Sequence, residues 1–198
     1  MKVFSNRFRI PAILAVAAAI LIWACQAAAS PMKDVERLMP PRTVLSFFEG
    51  QEFADLVLNA RGKLTFLYVD RRLADALRRL RELEYSSSGP SSGIPSQVFG
   101  YATKSKRRHV LFITRVQPLK RWTFDPSLLS VGGYSPVKED IITGISDNPS
   151  IELKFGEINL NEGYNGYIGF FVPAENVKPG ETINLGYAED LVEWQVPN

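Results

Sequence analysis

The C-terminal third of the chain constrains the fold most. Ile183, Leu185 and Tyr187 alternate with Thr182 and Asn184, and Val192, Trp194 and Val196 alternate with Glu193 and Gln195. A period of two sends successive side chains to opposite faces of an extended backbone, so the pattern predicts two half-buried strands. The turns agree. In Lys178-Pro179-Gly180-Glu181, Pro presets φ and Gly accepts the positive φ that a type II turn requires, and Asn165-Gly166 between Tyr164 and Tyr167 reads as a two-residue type I′ hairpin. Further strand-like runs occupy residues 151–155 and 167–172. Residues 53–59 and 64–69 read as a hairpin closed at Ala60-Arg61-Gly62-Lys63. Residues 97–103 and 109–116 read as a second hairpin around Lys104-Ser105-Lys106-Arg107-Arg108, and the nearly continuous apolar run from His109 to Val116 suits a central strand covered on both faces. Seven or eight short strands at this spacing predict a mainly β protein: an antiparallel β-sandwich, immunoglobulin-like or related.

One amphipathic helix is expected. Asp70 offers an N-cap, and Leu73, Ala76, Leu77, Leu80 and Leu83 recur at three- and four-residue spacing. The opposite face carries Arg71, Arg72, Arg78, Arg79 and Arg81, with Asp75/Arg79 and Arg78/Glu82 four residues apart. Residues 86–96 are Ser, Gly and Pro with a single Ile, and read as a flexible loop, so helix and loop (71–96) form an insertion between strands. Upstream, tandem Pro40-Pro41 and the charged stretch from Lys33 to Arg37 suggest a tether over residues 25–45. At 198 residues with 45% hydrophobic content, what remains, 46–198, suits a single domain with a sizeable core.

The first thirty residues read as an export signal. Lys2, Arg7 and Arg9 precede an unbroken apolar run of thirteen residues, 12–24, which is the architecture of a signal peptide. A membrane-spanning helix needs about 20 apolar residues, reached here only by extending from Ile10 to Ala29, and this uncleaved anchor is the alternative. Ala27-Ala28-Ala29 before Ser30 suits ordinary cleavage, giving a 1–29 signal and a soluble secreted chain. Ile22-Trp23-Ala24-Cys25 resembles the lipobox of bacterial lipoproteins, with Trp23 in place of the usual small residue. That resemblance implies a 1–24 signal, lipid attachment at Cys25, and, with Gln26 in the second mature position, delivery to the outer membrane.

Charge and residue counts then exclude several classes. The formal charge of +2 owes three positive charges to the signal, and a mature chain with 20 basic and 21 acidic residues gives no electrostatic argument for nucleic acid. One Cys and one His cannot build an intrachain disulfide, a Cys/His zinc site or a multi-His metal site. No Gly-x-Ser-x-Gly elbow accompanies His109, which sits in a strand pattern. No phosphate loop or dinucleotide fingerprint occurs, so no cofactor is expected. Glu139-Asp140, Glu157, Glu162, Glu189-Asp190 and Glu193 supply carboxylates without marking out a catalytic pair. Asn159, Asn161, Glu162 and Asn165 around Gly163 lack calcium-loop spacing and read as turn chemistry.

Two surface features and one aromatic set remain. Lys104, Lys106, Arg107 and Arg108 at a hairpin tip, with Arg78 and Arg79 on the helix, are the expected contacts for an anionic lipid or glycan or for an acidic envelope protein. Trp122, Phe124, Tyr134, Tyr164, Tyr167, Tyr187 and Trp194 would serve a sugar-stacking platform, but Trp122, Phe124 and Trp194 read as core. The sequence thus describes an exported, lipid-anchored bacterial envelope protein of the outer membrane or periplasm, acting as a non-catalytic binding or assembly module. The alternatives are a soluble exported hydrolase using carboxylates and a carbohydrate-binding module.

Overall fold

The computed structural model describes residues 31–53, 56–84, 108–142 and 152–198. Among these residues two α-helices, α1 (Pro31–Leu38) and α2 (Arg71–Glu84), accompany short strands that pair antiparallel. In chain order these are β1 (Thr43–Phe48), β2 (Gln51–Phe53), β3 (Leu56–Leu58), β4 (Gly62–Val69), β5 (His109–Pro118) and β6 (Trp122–Phe124). They continue as β7 (Leu129–Val131), β8 (Ile141–Ile142), β9 (Ile158–Leu160), β10 (Gly166–Pro173), β11 (Thr182–Tyr187) and β12 (Asp190–Gln195). A five-stranded sheet runs β1-β4-β5-β10-β8, a three-stranded sheet runs β12-β11-β7, and β2-β3 and β6-β9 form two-stranded ribbons.

The five-stranded sheet is central because its apolar residues fall on both faces. In β4, Leu64, Phe66 and Tyr68 enter one core, whereas Leu67 and Val69 enter another. In β5, Phe112 and Val116 divide from Leu111 and Ile113 in the same way, as expected when both faces are covered and alternation turns into a continuous apolar run. The first core joins this sheet to Leu129, Val131, Leu185 and Tyr187 of the three-stranded sheet and to Trp122 and Phe124. The second joins it to Val35 of α1 and to Leu73, Ala76, Leu77 and Leu80 of α2. Helices therefore cover one face and strands the other. Trp122 packs against Gly62, where any side chain would overlap the indole ring.

The α2 reading holds: the backbone N–H of Leu73 donates to the Asp70 carboxylate at 2.8 Å, capping a helix that starts at Arg71. On its surface Arg78 meets Asp75 at 3.2 Å, three residues apart. The type II turn holds as well, with Glu181 N–H donating to the Lys178 carbonyl at 3.1 Å and Gly180 at φ +80°.

Several expectations are corrected. Residues 31–45 are not all tether: 31–38 form α1, whose Val35 is buried in the helical core, and Pro40-Pro41 open a single 3-10 turn that leads into β1. Pro is favoured at the start of a helical turn, so the pair redirects the chain without ending the fold. The hairpin of 53–59 with 64–69 does not form. Leu64 and Phe66 of β4 pair instead with Ser46 and Val44 of β1, while β2 pairs with β3. β5 is bordered by β4 on one side and β10 on the other, as a central strand should be. Asn165 and Gly166 are absent from the positive-φ positions, and the turn lies earlier, with Gly163 at φ +83° and Tyr164 N–H donating to the Asn161 carbonyl at 3.2 Å. Residues 152–155 are not a strand, although Leu153 is buried. The signal, the expected loop at 86–96 and residues 97–103 lie outside the described residues.

Candidate functional site

The exposed face of α2 is the largest described group of expected contact residues. The helix is anchored at its start by a nearly buried ion pair: Arg42, 3% exposed, donates from Nη2 to Asp70 Oδ2 at 2.6 Å. Nη1 of the same guanidinium donates to the Leu38 carbonyl at 3.0 Å, so one side chain ties the end of α1 to the cap of α2. With Leu73, Ala76, Leu77 and Leu80 turned inward, helical geometry sends Arg71, Arg72, Arg78 and Arg79 to solvent, and all four are exposed. Arg72 donates from Nη1 to the Asn198 carbonyl at 2.9 Å. Arg78 shares its charge with the half-exposed Asp75.

The structure separates the expected cationic residues into two places. Arg108 is exposed at the start of β5, and its carbonyl accepts from Ala174 N–H at 3.0 Å. Because Leu111 lies opposite Val69, Arg108 emerges at the sheet end where α2 departs with Arg71 and Arg72. Arg78 and Arg79 sit two helical turns on, about 10 Å along the axis. Lys104, Lys106, Arg107 and Cys25 lie outside the described residues. Arg42 was missed by the sequence reading: the Asp70 cap was legible, but a partner 28 residues away leaves no local signal.

Two of the candidate carboxylates, Asp140 and Asp190, hold backbone in place. Asp190 accepts from the Glu49 N–H at 2.7 Å, and Glu49, at φ +50°, accepts in turn from Arg61 Nε at 2.7 Å. Asp140 accepts from the Val137 N–H at 3.1 Å and from the Tyr134 hydroxyl. That hydrogen bond, reinforced by burial and the nearby negative charge of Asp140 and Glu139, pushes the Tyr134 phenol up to about 12. The Asn cluster is likewise engaged: Asn159 accepts from Thr123 Oγ1 at 2.8 Å and Asn165 from Arg115 Nε at 2.7 Å. Among the described residues no group of three or more His, Cys, Asp or Glu could hold a metal ion. Nor is any helix among them long and apolar enough to cross a membrane.

The aromatic residues mostly meet one another. Trp122 lies 5.1 Å from Phe124 and 4.9 Å from Tyr187, centroid to centroid, and Phe48 stacks on Trp122 at 5.2 Å. Burial pushes the Tyr187 phenol up, opposed by the Asp125 N–H that donates to its oxygen. Their faces are covered, so Trp122, Phe124 and Tyr187 offer no stacking surface. Trp194, partly buried, packs edge-on against Tyr68 at 5.6 Å and donates from Nε1 to the Pro41 carbonyl at 3.0 Å. Compared with known proteins, the chain matches no family model, no curated sequence and no solved structure.

Proposed function

We propose that this chain is an exported bacterial envelope protein, held to the membrane by lipid on Cys25, that works as a non-catalytic binding or assembly module. One observation carries the reading: the only Cys of the chain directly ends the thirteen-residue apolar run that follows Lys2, Arg7 and Arg9. Acyl chains at that position contribute roughly 0.8 kcal/mol per buried methylene, and more than one chain tethers firmly. The finer fold assignment, a β-sandwich of immunoglobulin-like or related type, draws support from the core shared by the five- and three-stranded sheets. The module works through its surface, with the exposed arginines Arg78, Arg79 and Arg108 as contacts for an anionic partner.

Membrane fractionation of the natively expressed protein beside Cys25→Ala tests the anchor. The parent chain is expected in the membrane fraction, extractable only with detergent, and Cys25→Ala is expected to be soluble or to accumulate unprocessed. Finding both forms in the soluble fraction would overturn the reading in favour of a secreted protein.

A further inference from the structure

We infer that the helical layer is the membrane-facing side of the molecule: with Cys25 anchored, the exposed arginines of α2 rest on anionic lipid headgroups and the three-stranded sheet points away. The inference rests on the anchored reading above and adds an orientation to it.

Chain length gives the first argument. Only residues 26–30 separate Cys25 from Pro31, where α1 begins, and an extended chain covers at most about 3.6 Å per residue, so Pro31 lies within roughly 20 Å of the lipidated residue. α1 does not lengthen this reach, because Val35 is buried against α2, with Met32, Leu38 and Met39 packed around it, and Arg42 fixes its end. The helices cover the face of the five-stranded sheet opposite the three-stranded sheet. With packed layers about 10 Å apart, the body of that second sheet stands about 20 Å beyond the helices, and only the chain at its C-terminal end returns to them, through Trp194 on Pro41 and Asn198 on Arg72. The shortest connection to the bilayer therefore enters the helical layer.

Charge gives the second. α2 carries five arginines against Asp75, Glu82 and Glu84, whereas residues 181–195, which include β11 and β12, carry Glu181, Glu189, Asp190 and Glu193 and no basic residue. Exposed Glu193 on β12 lies opposite exposed Asn184 on β11, so the outward face of the three-stranded sheet, which also exposes Leu191, carries no cation. An anionic surface attracts the first face and repels the second, and each arginine brought to such a surface favours contact by roughly fivefold.

The test uses the full mature protein, extracted in detergent and reconstituted into phosphatidylcholine vesicles with or without about one-third phosphatidylglycerol. Arginines are modified with phenylglyoxal and carboxylates with a carbodiimide, both read residue by residue by mass spectrometry. Arg78 and Arg79 are expected to react at least about fivefold more slowly on anionic than on neutral vesicles, with the difference removed by about half-molar salt. Glu193 is expected to react equally on both. In Arg78→Glu/Arg79→Glu, which alters only exposed positions, Arg71 and Arg72 are expected to lose their protection. Equal reactivity of Arg78 and Arg79 on the two vesicles, in a sample whose N-terminal peptide carries acyl chains, would overturn the orientation and leave the anchor standing. An N-terminal peptide without acyl chains would overturn the anchor, and the orientation with it.

Discussion

On one face of the five-stranded sheet the core is aromatic and assembled from distant parts of the chain; on the other it is aliphatic and mostly local. Phe66, Tyr68, Phe112 and Phe170 meet Trp122, Phe124 and Tyr187 on the strand side, whereas Leu67, Val69, Leu111 and Ile113 meet Val35, Leu73, Ala76, Leu77 and Leu80 on the helix side. Aromatic side chains bury about 150–250 Å² each, so the strand side holds more of the stabilising surface. α2 follows β4 directly and α1 precedes β1 by one 3-10 turn, so the helical layer forms around short connections held by one ion pair. The difference predicts that the strand side carries most of the stability and that the helix side is the first to open.

Breaking the aromatic side should have the largest effect. Phe112→Ala removes a fully buried ring and is expected to cost about 4 kcal/mol, unfolding both layers together in urea. Next, Asp70→Ala removes both the α2 cap and the partner of Arg42, for about 3 kcal/mol, whereas Asp70→Asn keeps the cap and loses the charge, for about 2 kcal/mol. Hydrogen exchange should show this loss in α1 and α2 with β5 and β10 still protected; uniform loss would erase the distinction between the two sides. Thr114 is buried in β5 between Phe66 and Ile168 with its hydroxyl unpaired. Replacing that hydroxyl with a methyl in Thr114→Val should raise stability by about 1 kcal/mol, seen as a higher urea midpoint at unchanged slope.

Alkaline titration sharpens the comparison further. Because Tyr134 ionises in the folded chain only near 12, above the ordinary phenol value of 10.0, folding favours its protonated form. The stabilisation is full below pH 10 and is lost as pH rises towards 12. Phenolate absorbance should therefore show a late-ionising tyrosine that Tyr134→Phe removes. The smallest effect is expected on the helix surface: Arg79→Ala should change stability by less than about 0.5 kcal/mol, leaving those positions available for tests of binding.

What was legible in the sequence follows the same division. α2, the type II turn at Gly180 and the alternation of β11 and β12 were legible because each is set by residues within one or two turns of one another. β1 was not, because Leu45 and Phe47 put apolar residues on the outer face opposite Val44, blurring the period of two. The pairing of β1 with β4 also skips over 51–58, and no local pattern encodes that choice over the nearer partner. Asn165-Gly166 carried a stronger hairpin signal than Gly163, but once Gly166 opens β10 beside Val116, the positive φ falls to the earlier glycine. Of the helix arginines, the spacing of α2 predicted the exposure of Arg71, Arg72, Arg78 and Arg79. It could not show that Arg42 would be drawn inside to meet Asp70.

The most direct test of the central claim, an envelope protein anchored at its only cysteine, is the intact mass of the natively produced mature chain. The account predicts a chain that begins at Cys25 and carries the added mass of its acyl chains. A chain that begins at Ser30 with no added mass would contradict it.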